Sequence, residues 1–184
     1  MYYMEITLAG IMQSYGLESG GWVTLRDTML HPTASTIVGI LACSQGIEKD
    51  TEEYEGLKRK LNFKTTVLDD VLILEDYQIV SPKEFRKATA DSEVFMVNGG
   101  KKDAAGSQLP ITNRYILDAE FKVLVECENL EELKKIHHYL LHPVWAYYLG
   151  KACCTPSKPL VGREFKTTDL DEWEKKTKGE YICI

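Results

Sequence analysis

From Ala119 onward, Ala119, Phe121, Val123 and Val125 alternate with Glu120, Lys122 and Glu126, the two-residue period of a strand with one buried face. Tyr2, Met4, Ile6 and Leu8 alternate with Tyr3, Glu5 and Thr7 in the same way near the start. Each strand is followed by a helical stretch. After the first, Pro32 suits an opening turn, Ala34, Ile37, Val38 and Leu41 share one face, and Gly46 is a stop signal. After the second, Leu130–Leu141 turns Leu133, Ile136, Leu140 and Leu141 inward. A further helix is expected at about Asp50–Asn62, where Tyr54, Leu57 and Leu61 form a stripe among charges. Short strands are expected at Val71–Leu74, near Leu160–Phe165 and at Tyr181–Ile184. Strand, helix, strand, then strand, helix, strand is the order of an α+β, ferredoxin-like split βαβ fold, an antiparallel sheet with helices on one face.

One stretch does not fit that frame. Residues 78–110 show no sustained period and include Gly99, Gly100 and Gly106. An arm of that length inside a single domain spanning 1–184 is expected to be functional or disordered. Composition agrees with a globular chain, 44% hydrophobic and 27% charged. No apolar run is long enough to span a bilayer, and Met1-Tyr2-Tyr3-Met4-Glu5 lacks the basic start of an export signal, so a cytoplasmic protein without membrane contact is expected. The five cysteines, Cys43, Cys127, Cys153, Cys154 and Cys183, have no zinc or redox spacing and read as reduced thiols.

Net charge is −6, which at first argues against nucleic acid. Its distribution argues the other way. Residues 83–114 carry Lys83, Arg86, Lys87, Lys101, Lys102 and Arg114 against four carboxylates, and residues 151–167 carry Lys151, Lys158, Arg163 and Lys166 against Glu164 alone. Both windows are rich in loop-forming residues, and local field matters more than net charge for a polyanionic partner.

Five ordered blocks carry a family likeness: Met12-Gln13-Ser14-Tyr15-Gly16; Arg26-Asp27-Thr28; His31-Pro32-Thr33-Ala34-Ser35; Thr112 to Ala119; and Pro143 to Cys154. In order and spacing they resemble the CasD family, the RAMP subunits that hold the 5′ end of the guide RNA in type I-E CRISPR surveillance complexes, known as Cascade. The resemblance implies an RRM-like ferredoxin fold, a Gly-rich loop and a long β-hairpin thumb at about 78–112. It also implies a non-catalytic role in gripping the 5′ handle of crRNA. Implied partners are the backbone subunit beside the thumb, the large subunit and, indirectly, target DNA; no cofactor or metal is implied.

Carried onto this chain, the likeness marks Gln13, Ser14, Arg26, Thr28, Thr33 and Ser35 for phosphates, sugars and base edges. It marks Tyr15 or Tyr115 for stacking, though either reads equally well as a core or interface residue, and Lys83, Arg86, Lys87, Lys101, Lys102, Arg114 and Lys151 for the backbone. Thr33 and Ser35 read equally well as helix caps. Trp145, Tyr147 and Tyr148 read as packing, and His138 and His142 as a structural pair without further metal ligands at suitable spacing. The alternative function is a metal-independent endoribonuclease, with His31, Tyr15 and Lys151 as the acid and base groups such cleavage needs. A small-molecule regulatory domain on the same scaffold would leave the basic arm unexplained.

Overall fold

The computed structural model describes residues 1–16, 25–80, 93–95, 101–103, 109–178 and 180–184. The first alternating segment builds β1 (Tyr2–Gln13), which buries Met4, Ile6 and Leu8. Three two-residue strands follow, β2 (Tyr15–Gly16), β3 (Leu25–Arg26) and β4 (Thr28–Met29). Then come α1 (Ala34–Gln45), α2 (Glu52–Lys60), β5 (Leu61–Thr66) and β6 (Leu72–Val80). After β7 (Glu93–Phe95) and β8 (Lys101–Asp103) the chain enters the long β9 (Leu109–Cys127), then α3 (Leu130–Leu141), α4 (Leu170–Lys176) and β10 (Tyr181–Cys183).

β9 is the axis of the sheet. Antiparallel β1 covers one edge, from Tyr2 opposite Cys127 to Gln13 opposite Ile116. Two strands share the other edge: β5 takes the end, with Leu61 opposite Cys127, and β6 the beginning, with Leu72 opposite Leu117 and Val80 opposite Leu109. Asp118, at a left-handed φ of 48°, sits where the neighbour changes and lets β9 curl. β10 extends the sheet beyond β5. Phe121, Val123 and Val125 of β9, Leu61 and Phe63 of β5, and the β1 trio meet Ile37, Val38 and Leu41 of α1 and Leu133, Ile136 and Leu140 of α3 in one core. Each such side chain contributes about 1.5–3 kcal/mol by leaving water.

The ferredoxin-like class holds, with informative departures. The segment 157–168 runs along the free edge of β1, where a fourth strand belongs: Thr7 N–H donates to Leu160 (2.8 Å), Ser157 N–H to Ala9 (2.9 Å) and Thr168 N–H to Tyr3 (2.8 Å). It is not the regular strand expected at 160–165: it meets β1 through single backbone bonds rather than a ladder. The expected second helix stops at Lys60 instead of Asn62, and Leu61, Phe63 and Thr65 bury alternate positions as a strand. The apolar run at 71–74 opens β6, the base of a hairpin with β9, where Leu72 stays 68% exposed. Helix α4 was not anticipated; it covers the far face of the sheet, where Glu174 accepts from Lys64 (3.1 Å) and from the Tyr181 hydroxyl (2.6 Å), and fully buried Trp173 packs on Tyr181.

Thr33 is the N-cap of α1, accepting the Thr36 N–H at 3.3 Å. Thr33→Ala is expected to cost about 1 kcal/mol, read as a lower urea midpoint at unchanged slope.

Candidate nucleic-acid interface

The corner after β1 is built from polar side chains turned inward. Gln13 donates to the Ala119 carbonyl at 2.5 Å and accepts from the Tyr15 hydroxyl. Tyr15 packs edge-on against Phe121, centroids 5.9 Å apart, and its burial holds the phenol far above the ordinary range. Thr28 takes the Tyr15 N–H at 2.8 Å and donates to the Met29 carbonyl at 2.9 Å. Ser14 donates to the Arg114 carbonyl (3.3 Å), while its own N–H donates to Leu149 (3.1 Å). All four side chains are buried. Of the residues marked for RNA, Gln13, Ser14, Tyr15 and Thr28 are thus buried, and each finds a hydrogen-bond partner inside the chain.

Gly150 closes this corner. Its φ is 97°, and a Cβ there would lie 1.7 Å from the Ser14 carbonyl oxygen. Only a residue without a side chain lets the 149–154 loop lie against the end of β1.

That loop delivers Lys151 to one face of β9. Lys151 donates to Asn113 Oδ1 at 3.0 Å and its ammonium stands 4.5 Å over the Tyr115 ring. Asn113 is the middle of three residues abreast, paired with Arg26 on β3 and Asp76 on β6, so the three share a face. Burial and then the Arg26 charge push Lys151 below the ordinary lysine range. Among the described residues neither cation has a carboxylate within salt-bridge distance. Asp76 on the same face also acts on Lys151, but from beyond salt-bridge distance, so a phosphate would give both cations a charge-assisted partner. Tyr115 is covered by Lys151 and takes the Cys153 thiol at 3.8 Å; burial and Cys153 push its phenol up to about 12. One face of its ring is therefore covered by a cation, and the side chain as a whole is buried.

The other expected residues fall elsewhere. Ser35 is exposed beside the Thr33 cap, 3.1 Å between hydroxyls. Arg114 turns to the opposite face and pairs with Glu75 and Asp27. Lys83, Arg86 and Lys87 lie outside the described residues, as do the side chains of Lys101 and Lys102 on β8. His31 Nδ1 lies 3.0 Å from the Pro32 carbonyl. Of the aromatic trio, Tyr147 packs and donates to the Leu140 carbonyl (3.0 Å), but Trp145 (43%) and Tyr148 (37%) are exposed. The His138 and His142 rings stand 5.1 Å apart, and no metal-holding cluster occurs among the described residues. No helix among them is long and apolar enough to cross a membrane. Asp76, Asn113 and Gly150 were not singled out from the sequence; Asp76 meets Asn113 only through the β6–β9 register, which has no local signature.

A family model described as CRISPR-associated protein (Cas_Cas5) matches residues 3–180. The chain belongs to the Cas5 family. Among solved structures, a chain from "CRISPR RNA-guided surveillance complex" superposes on this Cas5 chain with a TM-score of 0.68 at 26% identity, covering 89% of this chain and 64% of that one. A second, "Crystal structure of Cas protein", gives 0.57 at 23% identity, covering 92% and 68%, and speaks to the fold alone. The present Cas5 chain thus spans 64% of the length of the first of these structures. No curated protein sequence matches it.

Proposed function

We propose that this Cas5 chain is a non-catalytic RNA-binding subunit of a type I, I-E-like, CRISPR Cascade complex. It binds and caps the 5′ handle of crRNA, while the β6–β9 arm reaches toward a neighbouring backbone subunit and other surfaces meet the large subunit; target DNA is engaged only through the guide. The observation that carries this reading is the Arg26–Lys151 pair: Lys151 is bonded to Asn113 and feels the Arg26 charge, Arg26 stands opposite Asn113 in the β3–β9 register, and among the described residues neither has a carboxylate within salt-bridge distance. Such a pair fits a backbone phosphate of a single strand. The likeness to a chain of an RNA-guided surveillance complex supports the same choice of ligand.

The absence of a catalytic role draws support from the three groups that cleavage would need. Tyr15 is fully buried and bonded to Gln13, Lys151 donates to Asn113, and His31 lies against its neighbouring carbonyl. General acid–base transfer requires groups within hydrogen-bond reach of one reacting 2′-hydroxyl. The test is incubation of the pure chain with repeat RNA in EDTA, followed by gel analysis and a binding titration. Stoichiometric binding of handle-bearing RNA that stays intact is expected; discrete cleavage lost in His31→Ala would overturn the reading.

A further inference from the structure

The side of β9 away from Asn113 carries a second arrangement with the opposite electrostatics. Arg114 lies directly across from Glu75 in the β6–β9 ladder and donates to its Oε1 through both Nε (2.8 Å) and Nη2 (2.6 Å). Its remaining arm, Nη1, is 3.4 Å from Asp27 Oδ2. Asp27 uses its other oxygen to accept the Thr28 N–H at 2.8 Å, and Thr28 in turn holds Tyr15. One guanidinium thus links the arm, through β9, to the short β3–β4 segment and the core. It faces two carboxylates, so the cluster is net negative and a phosphate arriving there is repelled. Asp27 is the sequence neighbour of Arg26, whose two-residue strand touches β9 through only two paired positions. Holding Asp27 on one face therefore fixes where Arg26 stands on the other.

We infer that Arg114 is a positioning residue: through Glu75 and Asp27 it locks the β3–β4 segment against the base of the arm and so places Arg26 beside Lys151. This rests on the proposed RNA-binding role of that pair. A direct phosphate contact and a clamp make opposite predictions for Asp27→Asn. If Arg114 bound phosphate, removing a competing carboxylate would free the guanidinium and tighten RNA binding. As a clamp, the loss frees Arg26, and binding weakens.

The experiment is fluorescence anisotropy of the full chain with handle-bearing repeat RNA over a salt series, for Arg114→Met, Asp27→Asn, Glu75→Gln and the double variant Arg114→Met/Asp27→Asn. Each single variant is expected to weaken binding about fivefold, with the double no weaker than either single, the signature of groups acting as one unit. The slope of log affinity against log salt should stay within experimental error of the parent. Glu75→Gln, at an exposed position, keeps the comparison alive if another variant unfolds, and thermal melts of each variant establish folding. Tighter binding by Asp27→Asn or Glu75→Gln, or a slope reduced by about 0.7 in Arg114→Met, the loss of one phosphate contact on a single strand, overturns the clamp. If Arg26→Ala also leaves binding unchanged, the RNA-binding reading fails instead.

Discussion

Gly150→Ala should displace the loop that carries Lys151 and have the largest effect on stability of any single substitution at this corner. The added Cβ would meet the Ser14 carbonyl oxygen at 1.7 Å, and the next atom, Ser14 C, at 2.8 Å. Both belong to backbone that is pinned on the other side: the Ser14 hydroxyl donates to the Arg114 carbonyl, and the adjoining Tyr15 N–H to Thr28. No rotamer change relieves such a contact, so the 149–154 loop must swing away from β1. The φ of 97° adds a separate conformational penalty. Backbone strain of this kind costs about 1–3 kcal/mol and overpacking about the same again, so a loss of roughly 3–5 kcal/mol is expected, at the exceptional end for a single substitution. Urea unfolding followed by tryptophan fluorescence checks it. Stability within about 0.5 kcal/mol of the parent, the range of neutral surface changes, would show that the loop accommodates a side chain freely.

Elements whose signal is local could be read directly. β1, α1 and α3 bury residues at a fixed period within their own span, and Thr33, Gly46 and Asn129 mark their ends. The errors come where position depends on a distant partner. β5 follows α2 without an intervening residue, and the helical stripe through Leu57 and Leu61 concealed the change of period at Leu61. Segment 157–168 alternates weakly and is bonded to β1 at scattered points rather than as a ladder. β9 begins at Leu109, ten residues before its clear alternation, because its first half is stabilised by β6 and β3.

The site divides in the same way. Lys151 stood out in the basic 151–167 window and Arg26 through the family likeness, and the structure sets them beside Asn113. Gln13, Tyr15 and Thr28 have the chemistry of RNA contacts, yet Gln13 reaches Ala119, 106 residues away, and Tyr15 and Thr28 bond across a short ladder. Polar residue types alone do not distinguish a group that meets solvent from one that closes an internal network. Arg114 meets Glu75 by register, 39 residues apart, which turned an apparent phosphate contact into an ion pair.

Removing both cations of the candidate site should have the largest effect on binding. A hydrogen bond to a charged group contributes about 1.5–3 kcal/mol, so Arg26→Ala/Lys151→Ala is expected to weaken handle binding about a hundredfold or more. The salt slope should fall by about 1.4, two single-strand phosphate contacts at roughly 0.7 each. The pH dependence carries a separate signature. Lys151 lies below the ordinary lysine value of 10.5 because it is buried and beside Arg26. A bound phosphate favours the charged ammonium, so binding takes up protons, and affinity falls as pH rises through the depressed value, earlier than an exposed lysine would dictate. Arginine side chains in general stay protonated at accessible pH, so the fall is assigned to Lys151. Lys151→Arg, charged at every accessible pH, should flatten the profile while retaining most of the salt slope. A parent profile already flat up to 10.5, or a double variant with an unchanged salt slope, would place the RNA elsewhere on the molecule.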